Sequence, residues 1–421
     1  MKFRLLREKS FFLYVFGQTV SVLGDGLYLI AIMWLILKIT DNRGLAVGGA
    51  FSVFSIGELI SGFIAGPIAD NFNKKKILII TDFLRAIIVF LLYFLSTQNL
   101  INMFEVILIL FILSILSPIF STTQFTLIPL LVEKDELLEA NGIITGITRI
   151  AQILAPSLGG ILVALFGYSI CFLIDAISFL VSVATIIFIR LKTTQVKEKV
   201  TNTILSLLES FKEGYKFLLS SKFLMVLSSY ALVVNSLGGA LQPLIPIFAE
   251  KYNFGSQGYG YMMSAFSLGF LVFALLTGFL PKKISETHLM LYGLTLTSIS
   301  LVLCGVFKSL IPVLILFFII GLSNGLTNLP MSTLFQKIVK IELLGVVTSF
   351  VFTVGQALQP VSMLVSGYLT EKISVSTLFI FIGLFAVLLS LAGFAIPAFR
   401  MPPDTTGSEL VINDSEIQDK G

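Results

Sequence analysis

Gly66-Pro67-Ile68-Ala69-Asp70-Asn71-Phe72-Asn73-Lys74-Lys75-Lys76 separates two apolar runs of membrane-crossing length, at about 46–69 and about 77–97. So short a link makes the two helices antiparallel neighbours. Gly66 with Pro67 is expected to end the first helix, leaving Asp70 to face the start of the second. Short, positively charged loops stay on the cytoplasmic side, so Lys74, Lys75 and Lys76 set this turn inside.

Outward from the turn, apolar windows of about twenty residues recur along the 421-residue chain. They fall at about 11–38, 46–69, 77–97, 103–127, 142–165, 169–190, 222–249, 258–280, 288–307, 310–333, 344–369 and 375–397. With 56% hydrophobic and 12% charged residues and a mean hydropathy of +0.99, the composition excludes a water-soluble globular protein. The expected fold is an all-α membrane protein with twelve transmembrane helices in two six-helix halves. Lys2, Arg4, Arg7 and Lys9 precede an apolar run from Phe11 to about Leu37, which is too long for a cleavable signal core. That run is read as the first helix, with its N-terminus inside. Lysine and arginine then divide about twenty inside to five outside, which puts both termini in the cytoplasm.

Residues 1–190 form the first half and 222–400 the second. The connector, 191–221, begins with basic residues and continues with Ile204, Leu207, Leu208, Phe211 and Tyr215 spaced for one helical face, so a helix lying at the inner membrane surface is expected. Residues 401–421 read as a disordered cytoplasmic tail. The halves echo each other: Gln152 with Pro156 in the fifth span recurs as Gln356 with Pro360 in the eleventh. Cys171 and Cys304 lie in apolar spans of opposite halves, and His288 is the only histidine. These argue against a disulfide framework, a metal site or a catalytic cluster. The formal net charge of +4 suggests no nucleic-acid partner.

An ionised side chain in mid-membrane requires a partner, a water-filled cavity or a proton. The candidates are Asp25, Glu58, Asp82, Arg85, Arg149 and Asp175, all in the first half. Asp25, between Gly24 and Gly26 and below Gln18 and Ser21, is the leading proton-coupling residue; a permanent ion pair or a helix-packing bond is the other reading. Glu58 is a second proton site, a selector for cations, or a neutral hydrogen-bonded packing group. Arg149 is expected as their counter-charge or as a contact to an anionic substrate. Asp82 and Arg85, spaced i, i+3 just beyond the lysines, are expected to pair locally or to reach Asp70, and Asp175 to be a packing residue. In the second half, Asn235, Gln242, Asn324, Asn328, Gln356 and Gln359, with Tyr230, Phe248 and Phe352, are expected to line or flank a cavity.

The spacing of Gly66, Asp70, Lys74 and Lys75 resembles the loop motif of the major facilitator superfamily between its second and third membrane helices, with Asn71 and Asn73 departing from the common form. The resemblance implies two six-helix halves around a central substrate site and a cytoplasmic latch at Asp70, Lys74 and Lys75, with Asp82 and Arg85 beside it. Ala155-Pro156-Ser157-Leu158-Gly159-Gly160 is similar to an element of the superfamily's antiporters, with Ala155 in place of a glycine. Pro156, Gly159 and Gly160 therefore imply export coupled to inward proton flow. Gly17–Asp25, Thr126–Asn141, Phe172–Phe179 and Phe211–Leu218 resemble the branch of bacterial macrolide-efflux proteins and siderophore exporters.

The expected function is proton-coupled export of a bulky amphipathic small molecule, such as a drug or macrolide, across the bacterial cytoplasmic membrane. The proton gradient serves in place of a cofactor, and the expected partners are the substrate and membrane lipids, with the protein a monomer. A dedicated exporter of a secreted metabolite such as a siderophore, or a lipid transporter, is the alternative. A membrane-embedded enzyme is argued against by the missing catalytic groupings.

Overall fold

Hydrocarbon offers no hydrogen bonds to the backbone, so apolar runs of this length close their N–H and C=O groups within helices. The computed structural model describes residues 5–133, 136–191, 222–276, 285–338 and 355–400. The first half holds α1 (Lys9–Ile39), α2 (Gly44–Asn71), α3 (Lys74–Thr97), α4 (Met103–Leu131), α5 (Leu137–Phe166) and α6 (Tyr168–Phe188). The second holds α7 (Lys222–Lys251), α8 (Gly255–Leu276), α9 (Glu286–Val306), α10 (Leu310–Ile338), α11 (Gln359–Leu369) and α12 (Val375–Ala395), with a short turn at Pro397–Arg400. Among the described residues, eleven helices are long and apolar enough to cross a membrane; α11 is described over only 11 residues. The expected connector helix and tail lie outside the described residues.

One boundary differs from expectation. Gly66 and Pro67 do not end α2, which runs on to Asn71. A proline ring removes one backbone bond from a helix, and a membrane helix tolerates that loss. The break falls instead at Phe72 and Asn73, where the Asn73 side chain caps α3 by accepting from the Lys76 N–H at 3.0 Å. At the other end of α2, Asp41 and Asn42 take positive φ of 50° and 63° to turn the chain between α1 and α2.

Within the first half α1 packs on α5 and α6, α2 on α4, and α3 on α4 and α6. Adding six to each number gives the second half: α7 on α11, α8 on α10, and α9 on α10 and α12. The joints between halves obey the same exchange, since α2 against α11 maps onto α8 against α5. This is the pseudo-symmetry of two parallel repeats.

Both joints lie toward the face that carries the α1–α2 turn. There Gly48 meets the backbone of Met363 and Gly367, and the Ser52 hydroxyl donates to the Pro360 carbonyl at 2.6 Å. Across the other joint the Ser256 hydroxyl donates to the Gly160 carbonyl at 3.0 Å. Ser264 bonds to the Ser157 hydroxyl at 2.7 Å and the Ile153 carbonyl at 2.5 Å, and accepts from the Ser157 N–H at 3.1 Å. Trp34 of α1 stacks on Tyr259 of α8 with ring centroids 6.1 Å apart. Small residues bring the helix backbones close enough for these bonds.

Candidate functional site

Below the joints lies a cavity of about 640 Å³, walled mainly by the first half. Helical spacing selects the residues that face it. On α1 these include Gln18, Asp25 and Tyr28, and on α2 Phe51, Phe54 and Glu58, at three-, four- or seven-residue steps, with Ser55 beside Phe54. Arg85 of α3, Phe120 and Gln124 of α4, and Asp175 and Phe179 of α6 also belong to that wall. The second half adds Gln242 of α7 and Gln356, Gln359 and Met363 at α11.

Arg85 organises the charges. Its Nη2 donates to Asp25 Oδ1 at 2.8 Å and its Nη1 to Asp82 Oδ1 at 3.2 Å. The guanidinium lies 4.1 Å from the centre of the Phe179 ring and 5.5 Å from that of Phe120, so aromatic faces cover what the carboxylates leave. Asp82 is fully buried, whereas the Asp25 side chain is 44% accessible and opens to the cavity. Asp175 is buried nearby and accepts from the Ser178 hydroxyl at 3.2 Å. Gly24 makes this convergence of α1 and α6 feasible, because a Cβ there would collide with the side chains of Ser178 and Asp175. Glu58 stands apart across the cavity on α2, exposed, with no ion pair or hydrogen bond among the described residues.

Three expectations change. Arg149 is not the counter-charge of Asp25 or Glu58; it is exposed, donates to Gln152 at 3.0 Å and lies 5.2 Å over the Phe270 ring at the edge of the α5–α8 joint. Arg85 takes that part because α3 reaches the centre of the half through α6. Asp175 is not confined to packing, since it lines the cavity. The Asp82–Arg85 pair forms as the i, i+3 spacing predicts, but Arg85 is also tied to Asp25 and lines the cavity, with Asp82 buried behind it. Of the latch residues, the Asp70 side chain lies outside the described residues. Lys74 Nζ donates to the Ala69 carbonyl at 3.3 Å, and Lys75 Nζ to the carbonyls of Ile187 and Ile189 at 2.7 and 2.9 Å. Lys75 thus caps the end of α6.

Pro156 and Gly160 sit in the α5–α8 joint against Gly260 and Ser256, while Gly159 turns to α1 and meets Leu27 and Ile30. Gln18, Gln242, Gln356 and Gln359 line the cavity as expected. Asn235, Asn324 and Asn328 are not in its wall; Asn328 donates to the Asn324 carbonyl at 2.9 Å within α10. Tyr230 donates to the Leu389 carbonyl at 3.3 Å, Phe248 packs among Tyr252, Phe254 and Phe379, and Phe352 lies outside the described residues. Sequence reasoning missed the cavity positions of Asp175 and Arg85. A usable signal was present: Gly17 and Gly24, one heptad apart, oppose Thr185, Ser182 and Ser178 on α6.

The profile of the Major Facilitator Superfamily matches residues 14–258 and 235–413. The MFS-type transporter YfiS of Bacillus subtilis is 25% identical over 394 residues, covering 91% of this chain and 92% of that protein. Multidrug efflux pump Tap of Mycobacterium tuberculosis is 24% identical over 406 residues, 92% of this chain and 94% of its own. Macrolide efflux protein A of Streptococcus pyogenes is 22% identical over 382 residues, 89% and 93% respectively. Among solved structures, the nucleoside transporter NupG superposes with a TM-score of 0.72 at 16% identity, over 91% of this chain and 98% of that one. A bacterial homologue of the iron transporter ferroportin, in an inward-facing state, gives 0.71 at 16% identity, over 93% and 98%.

Proposed function

The chain belongs to the major facilitator superfamily, a multi-pass membrane transporter rather than an enzyme, and from that premise we propose that it exports a bulky amphipathic small molecule in exchange for protons. The observation that carries the reading is the cavity wall, where Asp25 and Glu58 open into an otherwise largely apolar chamber between the halves. Pockets of that kind hold amphipathic ligands by surface burial and orient them with a few polar groups. Carboxylates reachable from the chamber offer sites where a proton exchanges as the halves rock about it. The names of the Tap and macrolide efflux relatives support export over uptake.

In this reading the α2–α3 turn faces the bacterial cytoplasm, both termini are cytoplasmic, and the joined ends of α2, α5, α8 and α11 close the outer side. Asp25 is the principal proton carrier, with Arg85 as the cation that holds it when ionised. Asp82 fixes Arg85 from behind. The protein works as a monomer with no cofactor beyond the proton gradient. One proton entering down about 100 mV releases about 2.3 kcal/mol, enough to hold a neutral solute at a gradient of about fiftyfold.

The test is accumulation of fluorescent drugs and macrolides in cells expressing wild type or Asp25→Asn, with and without an uncoupler. Wild type lowers accumulation, and both the uncoupler and the substitution abolish the effect. Export by wild type that ignores the uncoupler overturns proton coupling.

A further inference from the structure

We infer that the cavity selects amphipathic organic cations, with the Glu58 carboxylate as the charge contact and the Phe51 and Phe54 rings as the apolar surface beside it. This deepens the exporter reading and rests on it.

Carboxylates outnumber cations in the wall of the cavity. Its one guanidinium, Arg85, is already held by two carboxylates, Asp25 at 2.8 Å and Asp82 at 3.2 Å, and screened by Phe179 and Phe120. The other arginine of the membrane spans, Arg149, is exposed at the edge of the α5–α8 joint and bonded to Gln152. No free cation therefore faces the chamber from the described residues, while Asp25, Asp175 and Glu58 do. An anionic guest meets like charge at each ionised carboxylate and finds the one guanidinium already neutralised.

Phe51, Phe54 and Glu58 are spaced i, i+3 and i+7, which at about 100° per residue puts them within about 60° of one another on one helix face. A carboxylate without a counter-charge in mid-membrane is costly, and an ammonium or phosphonium centre supplies the missing charge. Aromatic faces next to it attract the same centre and bury its substituents. From the second half, Gln242 and Gln359 present amides, which adapt to the remaining polar groups without imposing a charge. Asp25 is engaged by Arg85 and Glu58 is not, so charge selection and proton carriage fall to different carboxylates.

The probe is radiolabelled tetraphenylphosphonium, a permanent cation that cannot lose its charge by deprotonation. Binding is measured by equilibrium dialysis on the full chain in detergent, a readout that needs no proton gradient. Wild type is expected to bind saturably, Glu58→Gln to bind at least about tenfold more weakly, and Glu58→Asp to recover part of the loss. A monodisperse elution profile checks that each variant is folded. An anionic dye of similar size is expected not to displace the cation from wild type. Unchanged binding by folded Glu58→Gln, absence of binding by wild type, or displacement by the anion overturns the inference. The two levels separate cleanly. Saturable cation binding without proton-dependent drug efflux defeats the exporter reading and leaves the site standing, whereas drug efflux without cation binding does the reverse.

Discussion

Arg85→Met removes the one cation that the buried carboxylates of the first half share. Methionine keeps the length and apolar stem of the side chain, so the cavity wall between Phe120 and Phe179 is refilled and the loss is chiefly electrostatic. Asp25 is 44% accessible and regains water from the cavity; Asp82, at 0%, does not. Leaving one partner of a buried pair uncompensated costs about 3–5 kcal/mol. With an unfolding entropy of about 2.1 cal/mol/K per residue over 421 residues, that corresponds to a fall in Tm of about 3–6 °C. The fully buried thiols Cys171 and Cys304 provide the assay, because a thiol-reactive fluorogenic dye reports their exposure as the detergent-solubilised protein is heated. The double variant Asp82→Asn/Arg85→Met removes the stranded charge and is expected to regain at least about half of the loss. A Tm for Arg85→Met within about 1 °C of wild type, or a double variant no more stable than the single, would refute the reasoning.

Gly24→Val is expected to cost about 1–3 kcal/mol by overpacking against Ser178 and Asp175, whereas Gly62→Ala, facing open space, leaves Tm unchanged or slightly raised; equal effects in the same thermal assay would contradict the packing of α1 on α6. Gly160→Val should wedge α5 from Ser256 and Gln257, so disulfide formation between Ser157→Cys and Ser264→Cys, whose parent hydroxyls lie 2.7 Å apart, should drop several-fold. Undiminished cross-linking would count against so close a joint. Arg149→Ala is expected to change drug efflux by no more than about twofold, because that residue lies outside the cavity; a loss beyond about tenfold would return it to the binding machinery.

The helices were legible because hydrocarbon imposes one rule on every span: about twenty apolar residues with their own hydrogen bonds. Asp25, Glu58 and four of the five glutamines that line the cavity were legible for a related reason, since polar groups in such spans turn toward one another or toward water. Their partners were not. Arg85 reads in sequence as the local partner of Asp82 and Arg149 as the counter-charge, and only the placement of α3 against α6 brings Arg85 to Asp25 and leaves Arg149 at the edge of the α5–α8 joint. Asp175 reads as a packing residue for want of the same information, because which face of α6 meets α1 depends on small residues on both helices. Gly66 and Pro67 mislead in another way. They break helices in water, but within a bundle α2 carries them and the break moves to Asn73, whose side chain caps the first turn of α3.

The joints between the halves are made of serine hydroxyls, backbone carbonyls and glycine surfaces, with Ser264 alone bonded three ways across one of them. A closure built mainly from shape and neutral hydrogen bonds, with the Glu371 carboxylate on the Leu45 N–H at 3.3 Å and Arg149 over the Phe270 ring as its charged contacts, gives dissolved ions little to screen. The proposed outer gate should therefore open with nearly the same ease in dilute and in saline surroundings, leaving the driving gradient, more than the medium outside the cell, to set the pace of the cycle.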